Sequence, residues 1–169
     1  VRYLYNFKDQ LALVFNGKEY AYQDIIDQVS IYDDEISEKI PSNSVVSIIS
    51  DYSFYSISIF LSLLNKNCII VPITSDIVQE QNLRIKESNS EIVINFDSSN
   101  SLIIQESENI LKGSHKLISN LKSENKSGLI LFSSGSTGKP KAMLQNLENL
   151  CLAHKHKRPK SLTMMVFFS

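Results

Sequence analysis

The feature that most constrains the fold is a series of short β-branched runs that alternates with helical patterns in the middle of the chain. The runs are too short for helices and rich in Val and Ile, which is typical of buried strands: Val45–Ile49, Cys68–Ile73 and Glu91–Phe96. Strand–helix–strand units of this spacing predict parallel strands joined by right-handed crossovers. We therefore expect an α/β protein with a three-layer, mostly parallel sheet and crossover helices.

Two helices are predicted between these strands. The first, Ser53–Asn65, is apolar nearly all round, which indicates burial between the sheet and another layer. The second is polar, takes its N-cap from the Thr-Ser-Asp sequence at 74–76, and runs to about Glu87. Cys68, at the start of its apolar run, is expected to pack as a small hydrophobe.

The N-terminal part predicts a hairpin followed by a helix. Leu11–Phe15, an Asn-Gly pair at 16–17 and Lys18–Tyr20 are typical of two antiparallel strands joined by a type I′ turn. From residue 22 to 39 the apolar residues recur at helical spacing, which predicts an amphipathic helix. Pro41 is expected to end it.

Composition excludes several classes of function. The chain has 169 residues, 43% of them hydrophobic, and a net charge of -1, so it can bury a core but has no strong field for nucleic acid or membrane surfaces. Its longest apolar helix, Phe54–Leu64, is too short to span a bilayer. Two cysteines far apart give neither a disulfide framework nor zinc spacing. No signal peptide is seen, so the cytoplasm is the expected compartment.

The stretch with the most chemistry runs from residue 128 to residue 145. An apolar strand, Leu129–Phe132, is followed by four hydroxyl residues and two glycines, and the strand Ala142–Gln145 follows the loop. Hydroxyls, backbone N–H groups freed by glycine and lysine ammonium groups are the ligands that phosphate prefers. The residues expected to hold a polyphosphate are Ser133, Ser134, Gly135, Ser136, Thr137, Gly138 and Lys141.

Three other interpretations of this loop are weaker. A flexible Ser/Gly linker does not need a buried strand on either side. A Walker-type loop fails because Pro140 stands where the magnesium-binding hydroxyl is required. A serine nucleophile of amidase type would need a basic lysine far upstream, and the Gly-x-Ser-x-Gly pattern is absent.

The run from Phe132 to Ala142, Phe-Ser-Ser-Gly-Ser-Thr-Gly-Lys-Pro-Lys-Ala, closely resembles the phosphate-loop signature of the adenylate-forming enzymes. These include acyl-CoA synthetases, adenylation domains of peptide synthetases and luciferases. Every position matches except the last, where Ala142 replaces the usual glycine. The order of hairpin, helix and strand–helix–strand run also resembles the N-terminal domain of that superfamily.

The resemblance implies an acid–thiol ligase that uses ATP and magnesium. A carboxylic acid substrate would attack ATP to give an acyl-adenylate and pyrophosphate, and coenzyme A or a carrier-protein thiol would then accept the acyl group. Lys141 would meet the terminal phosphate as the catalytic residue, while Lys139 occupies the variable position and is expected to face solvent. No residue of this chain is assigned as a metal ligand. The short lead-in before the loop slightly favours amino- or aryl-acid activating domains over long-chain acyl-CoA ligases.

The remaining segments add an expectation about length. Asp97–Asn125 predicts at most short helices and a short strand at Leu102–Ile104, with His115 on the surface. A helix is predicted for Asn146–His156, with a solvated basic end at 154–160. The last apolar run, Leu162–Phe168, is strand-like with nothing after it to cover both faces. We therefore expect residues 1–169 to be a partial N-terminal AMP-binding domain, inactive alone, whose C-terminal domain is absent; the competing hypothesis is a non-catalytic nucleotide-binding or interaction module.

Overall fold

The computed structural model of the protein describes residues 2–108, 115–133 and 141–154. A 3-10 helix at Arg2–Phe7 precedes the first strand, and it has no counterpart among the sequence predictions. The elements that follow are, in chain order, β1 (Leu11–Phe15), β2 (Lys18–Ala21), α1 (Tyr22–Ile36), β3 (Val45–Ile49), α2 (Phe54–Asn65), β4 (Ile69–Ile73), α3 (Val78–Glu87), β5 (Ile92–Phe96), β6 (Leu102–Glu106), α4 (Lys116–Ser123), β7 (Gly128–Ser133), β8 (Lys141–Asn146) and α5 (Leu147–His154).

The main sheet has six strands in the order β6-β5-β3-β4-β7-β8. The four central strands are parallel, and the two edge strands, β6 and β8, are antiparallel to their neighbours. Strand β7 is in register with β4 only at its first two residues, where Gly128 lies opposite Ile69 and Leu129 opposite Ile70. The predicted mostly parallel sheet is therefore confirmed, with the parallel strands at its centre.

Alternate residues of each central strand face opposite sides and pack under different helices. On one side, Val46, Ile48 and Ile70 form a core with Ile59 of α2 and Ile36 of α1. On the other side, a second core joins the intervening strand residues to α3 and α4, through Val45, Ile69, Val71, Val93, Ile85, Ile118 and Leu121. The predicted three-layer arrangement is confirmed, since apolar surface is buried on both faces of the sheet.

The hairpin and the first two helices follow the sequence predictions closely. Asn16 and Gly17 have φ angles of 50° and 74°, the left-handed conformation that a type I′ turn requires at both central positions. Helix α1 ends at Ile36, before the expected Lys39, and Ile40 is nevertheless fully buried in the core. Helix α2 begins with a capping box between Ser53 and Ser56.

The predicted start of α3 is wrong. Its N-cap is Ile77, which has no side-chain capping hydrogen bond, whereas a cap was expected among residues 74–76. The Ser75 hydroxyl instead accepts the Ile77 N–H at 3.2 Å and donates to Glu80 at 2.9 Å, so it stabilises the approach to the helix. The Ser75 hydroxyl thus bonds the backbone two residues further on, just before the helix begins at Val78.

The short strand expected at 102–104 is longer and forms an antiparallel hairpin with β5. Asp97 closes its turn, because its carboxylate accepts hydrogen bonds from the backbone N–H groups of Ser99 and Ser101 at 2.8 and 2.9 Å. His115 is exposed, as expected, and caps α4 by accepting the Leu117 N–H.

Candidate functional site

The β7–β8 hairpin forms the base of the predicted phosphate loop. Ser133 ends β7 and lies directly opposite Lys141, which begins β8. The loop between them, residues 134–140, lies outside the described residues. All seven residues of the predicted site remain predicted ligands, and the structure brings the first and the last of them, Ser133 and Lys141, to opposite positions of the strand pair.

The base of the loop lies at the carboxyl edge of the parallel strands, because β7 runs parallel to β4, β3 and β5. Helix α2, which leaves β3, packs on one face of the sheet, and α3, which leaves β4, packs on the other. Ligands of open α/β sheets bind at the carboxyl edge where successive connections go to opposite faces. The loop therefore begins beside the place in this sheet that is suited to a ligand.

The Lys141 side chain is available to an anion. It is exposed and makes no ion pair within the described ranges. Ser133 is half-buried at the end of β7. A hydroxyl and a free ammonium group on adjacent strands are suited to binding phosphate oxygens.

Arg84 supports the end of β7 from the α3 side, an arrangement that sequence reasoning missed. Its guanidinium carbon lies 6.0 Å from the centroid of the Phe132 ring, and Nη2 donates to Glu80 Oε2 at 3.2 Å. The Nε atom is buried and has no hydrogen-bond partner in the part of the chain that the structure describes. Arg84 and Phe132 are far apart in sequence, so no local pattern pointed to the contact.

Gly128, at the other end of β7, lies in a tightly packed position. A Cβ atom there would lie 3.1 Å from Ile69 Cγ1 and 3.2 Å from Leu121 Cδ1, closer than ordinary van der Waals contact. The two loop glycines, Gly135 and Gly138, are predicted to bring the backbone close to a polyphosphate. For Gly128 the structure gives a different reason, namely the close approach of β4 and α4.

An apolar groove of about 320 Å³ lies beside the base of the loop, between α2 and β7. Ile48 and Pro72 belong to its floor, Ile57 and Phe60 to the α2 wall, and Leu129 and Leu131 to the β7 wall. We call this feature the α2–β7 groove. Ser50, Asp51 and Thr74 supply polar atoms to its lining from the carboxyl ends of β3 and β4.

Other classes of site find no support in the described residues. Within 2–108, 115–133 and 141–154, no three His, Cys, Asp or Glu side chains come together to hold a metal ion. No helix described is both long and apolar enough to cross a bilayer. Cys68 is buried, Cys151 is exposed, and neither forms a disulfide.

Comparison with known proteins gives matches among solved structures alone. No protein-family model and no curated protein matches the chain. The N-terminal subdomain of NpsA from Klebsiella oxytoca, in complex with 3-hydroxyanthranilyl-AMSN, is similar over 83% of this chain and 37% of its own, with a TM-score of 0.62 and 22% identity. The O-succinylbenzoate coenzyme A synthetase MenE from Bacillus subtilis, in complex with AMP, is similar over 94% of this chain and 45% of its own, with a TM-score of 0.62 and 12% identity.

MatB from Rhodopseudomonas palustris is similar over 90% of this chain and 35% of its own, again with a TM-score of 0.62 and 12% identity. The chain thus spans less than half the length of each of these proteins. The described fold, with its hairpin, its mostly parallel sheet and its helices on both faces, accounts for the likeness. The chain therefore has the fold of part of the N-terminal subdomain of the adenylate-forming enzymes, the superfamily whose phosphate-loop signature it resembles at Phe132–Ala142.

Proposed function

We propose that this chain is the phosphate-binding part of an enzyme that activates a carboxylic acid with ATP. Residues 128–145 are its strand–phosphate loop–strand unit, and the chain as a whole corresponds to part of an N-terminal AMP-binding domain. This assignment is supported by the comparison with solved structures, because 55% or more of each similar structure lies outside the part that this chain matches. The remaining binding groups and a C-terminal domain are proposed to belong to the longer protein.

One observation carries the proposal: the register of β7 and β8 places Ser133 opposite Lys141 at the carboxyl edge of the sheet. Residues directly opposite in an antiparallel pair have Cα atoms about 4.5–5.5 Å apart. The first hydroxyl and the last cation of the predicted loop can therefore bind the same phosphate chain. A flexible linker would not be expected to close in register on two strands.

The chemistry of such a site is mainly electrostatic. The substrate carboxylate is ionised at neutral pH and needs no general base. Its oxygen forms a bond to the α-phosphorus, the bond from that phosphorus to the β-phosphate oxygen breaks, and pyrophosphate leaves. The loop hydroxyls, the backbone N–H groups at Gly135 and Gly138, and Lys141 would hold and neutralise the β- and γ-phosphates as charge develops on the leaving group.

Magnesium would be bound to the phosphates and would neutralise part of their charge. The described residues supply no cluster of ligands for it. The exposed Lys141 and half-buried Ser133 fit the phosphate chain itself, because an ammonium group and a hydroxyl group can both donate hydrogen bonds to phosphate oxygens. The residues proposed here thus act on the phosphates and leave metal ligation to the longer protein.

A thiol is the proposed acceptor of the acyl group, either coenzyme A or a carrier protein. MenE is named as a coenzyme A synthetase, and NpsA has been joined to ThdA as an adenylation–PCP di-domain. Aryl acids are the first substrates to test, because NpsA structures contain 3-hydroxyanthranilyl-, 3-hydroxybenzoyl- and anthranilyl-AMSN. We place the reaction in the cytoplasm, where free cysteines such as Cys68 and Cys151 persist.

The test compares two lysines of the same loop. Lys141→Ala should weaken ATP binding by the chain about 10- to 100-fold, because hydrogen bonds to charged groups are worth about 1.5–3 kcal/mol. Lys139→Ala is the matched control and should change the affinity little. Equilibrium dialysis with labelled ATP measures both, and equal losses in the two variants would remove the role assigned to Lys141.

Catalysis is tested by carboxylate-dependent ATP–pyrophosphate exchange. We expect the 169-residue chain to bind ATP weakly and to form no acyl-adenylate, whereas the longer protein should exchange, and Lys141→Ala should slow that exchange. Appreciable exchange by the 169 residues alone would show that no further binding groups are needed. A longer protein that binds ATP without any exchange on a panel of aryl and aliphatic acids would be the non-catalytic module.

A further inference from the structure

A second cavity, of about 670 Å³, lies between the N-terminal 3-10 helix and helix α1. Tyr3 and Tyr5 line it from the 3-10 helix, Val29 and Asp33 line it from α1, and Asn65 lines it from the end of α2. We call this feature the N-terminal cleft. Its described lining shares no residue with the α2–β7 groove or with the β7–β8 hairpin. A ligand of the cleft would therefore be bound independently of the predicted phosphate loop.

Packing holds the two tyrosines beside α1. The ring centroids of Tyr3 and Phe7 lie 5.4 Å apart and those of Phe7 and Tyr22 lie 6.0 Å apart, so aromatic contacts join the 3-10 helix to the start of α1. Leu4 packs against the core formed by β2, α1 and α2. Tyr3 and Tyr5 are nevertheless 65% and 55% exposed. Their rings are thus available to a ligand on a helix that is itself anchored.

The cleft contains a carboxylate that is held in one orientation and is not neutralised. Asp33 is half-buried and accepts a hydrogen bond from the Ser62 hydroxyl at 2.5 Å and another from Asn65 Nδ2 at 2.8 Å. Both donors are uncharged, and Asp33 makes no ion pair with any described side chain. A carboxylate can accept about four hydrogen bonds. About two of its acceptor positions are therefore left for a ligand.

The charge around the cleft is negative as well. Helix α1 has five acidic residues and neither lysine nor arginine, the acidic ones being Asp24, Asp27, Asp33, Asp34 and Glu35. Neither α1 nor α2 has a basic residue in its last turn, where the helix dipole is negative. Lys66, which follows α2, donates to the Ser37 carbonyl at 2.8 Å and not to Asp33. The potential at the cleft therefore favours a cation.

The groups that line the cleft fit an organic cation. A guanidinium stacks on aromatic rings and can donate two parallel hydrogen bonds to one carboxylate, while Ile26 and Val29 provide apolar surface for an alkyl chain. A metal ion is disfavoured, because Asp33 is the one carboxylate among the described lining residues and metal ions of the Ca²⁺ type need several oxygen ligands. We propose that the N-terminal cleft binds an alkylguanidinium cation between Asp33 and the rings of Tyr3 and Tyr5.

Calorimetric titration of the 169-residue chain with n-butylguanidinium at low ionic strength tests the proposal. The control ligand is n-butylurea, which has nearly the same shape and no charge. We expect the guanidinium to bind at least about tenfold more tightly than the urea, because hydrogen bonds between charged groups are the stronger ones. Equal affinities, or no binding of the guanidinium at millimolar concentration, would overturn the proposal.

Asp33→Asn and Asp34→Asn form a matched pair of variants. They remove the same charge from adjacent positions of α1, but Asp34 is exposed and is not part of the cleft lining. Asp33→Asn should lower the affinity for n-butylguanidinium at least about tenfold, and Asp34→Asn less than about twofold. Equal losses would show a general attraction to an acidic helix and would contradict the cleft. ATP binding should be the same in both variants, so this test is separate from that of the phosphate loop.

A variant of the two tyrosines tests the cleft without touching the contacts of Asp33 with α2. Tyr3→Leu combined with Tyr5→Leu keeps apolar side chains and removes the rings, and it should weaken n-butylguanidinium binding by about two- to fivefold for each ring that stacks on the cation. Circular dichroism checks that the fold is retained. Unchanged affinity would contradict the assigned stacking and overturn the proposal.

The source of the guanidinium is found by comparing n-butylguanidinium with the capped peptide acetyl-Gly-Arg-Gly-amide. Tighter binding of the peptide would identify the arginine side chain of a polypeptide as the ligand, since the flanking backbone then adds contacts. Tighter binding of n-butylguanidinium would identify a free small molecule. Either result supports the cation site, whereas failure of both ligands to bind would overturn it.

Discussion

Gly128 is a point where β7 packs closely against the rest of the molecule. Its backbone lies against the fully buried Ile69 side chain of β4 and against Leu121 of α4, with no space for a methyl group at ordinary contact distance. Ile69 is β-branched and has little freedom to move aside. The residue that begins the strand to the predicted phosphate loop is thus fixed by packing.

Gly128→Ala should lower the free energy of unfolding by roughly 1–3 kcal/mol, the usual cost of overpacking a core site. Urea denaturation followed by circular dichroism measures this change. Gly17→Asn is the control, because Asn tolerates the left-handed conformation of that exposed turn. This variant should have a free energy of unfolding within about 0.5 kcal/mol of the unsubstituted chain. An alanine at 128 as stable as glycine would mean that β7 lies further from β4 than described.

The two cysteines should react very differently. Burial raises the pKa of the Cys68 thiol to about 11, whereas Cys151 is exposed on α5. Only the thiolate reacts, and at pH 8 about one Cys68 molecule in a thousand would carry it. We expect one equivalent of thiol to react with DTNB in the native chain and two after unfolding; rapid reaction of both in the native state would contradict the burial of Cys68.

At the scale of elements, the sequence was most informative where one local interaction decides the conformation. The Asn-Gly pair at 16–17 specifies its turn without help from the rest of the chain, and Pro41 and Ser53 bound their helices within a few residues. The start of α3 was mispredicted because Ser75 can bond either as an N-cap or as part of a turn before the helix. Local sequence alone does not decide between these two geometries.

The β5–β6 turn is an element whose stability should depend on pH. Hydrogen bonds from the Ser99 side chain and from the Ser101 and Ser99 backbone lower the pKa of Asp97 below its ordinary 3.8. A carboxyl whose folded pKa is lowered stabilises the fold above its unfolded pKa, and this contribution is lost as the pH falls from 3.8 through the folded value.

The measurement is an NMR titration of Asp97 in the native chain and in Ser99→Ala. The substitution removes the largest cause of the shift, so the pKa of Asp97 should move back towards 3.8. Ser101→Ala is the matched control, because Ser101 bonds Asp97 through its backbone N–H and should leave most of the shift in place. Identical titrations in all three proteins would show that the Ser99 hydroxyl does not hold the carboxylate.

At the scale of the whole molecule, stability is concentrated at the centre of the sheet. Strands β3 and β4 are covered on both faces and paired on both sides, whereas β8 is an edge strand and α5 buries none of its residues. Local opening costs the most free energy where residues are buried and strands are paired on both sides, and the least at exposed edges. Amide hydrogen exchange should therefore be slowest in β3 and β4 and fastest in β8 and α5, and equal protection across the sheet would contradict this gradient.

The long-range arrangement is what the sequence could not supply. Alternating apolar runs predicted parallel strands, yet nothing in them placed β7 beside β4 or made β6 and β8 antiparallel edges, since these pairings join residues far apart in the chain. The contact of Arg84 with Phe132 was missed for the same reason. Ser133 and Lys141, in contrast, were singled out by their motif, and the strand register places them opposite each other; their role as phosphate ligands stays a prediction, as does that of the loop residues between them.

Strand β7 is in register with β4 only at Gly128 and Leu129, so the rest of the β7–β8 pair is held by side-chain packing. From Leu129 to Ser133 this part is roughly 13 Å long, at about 3.3 Å per residue. A rotation of about 10° about Leu129 would shift Ser133 by about 2 Å, which is comparable to the difference between a formed and a broken hydrogen bond. The position of the predicted phosphate ligands therefore depends on contacts distant from them in sequence, namely Gly128 against Ile69 and Phe132 against Arg84.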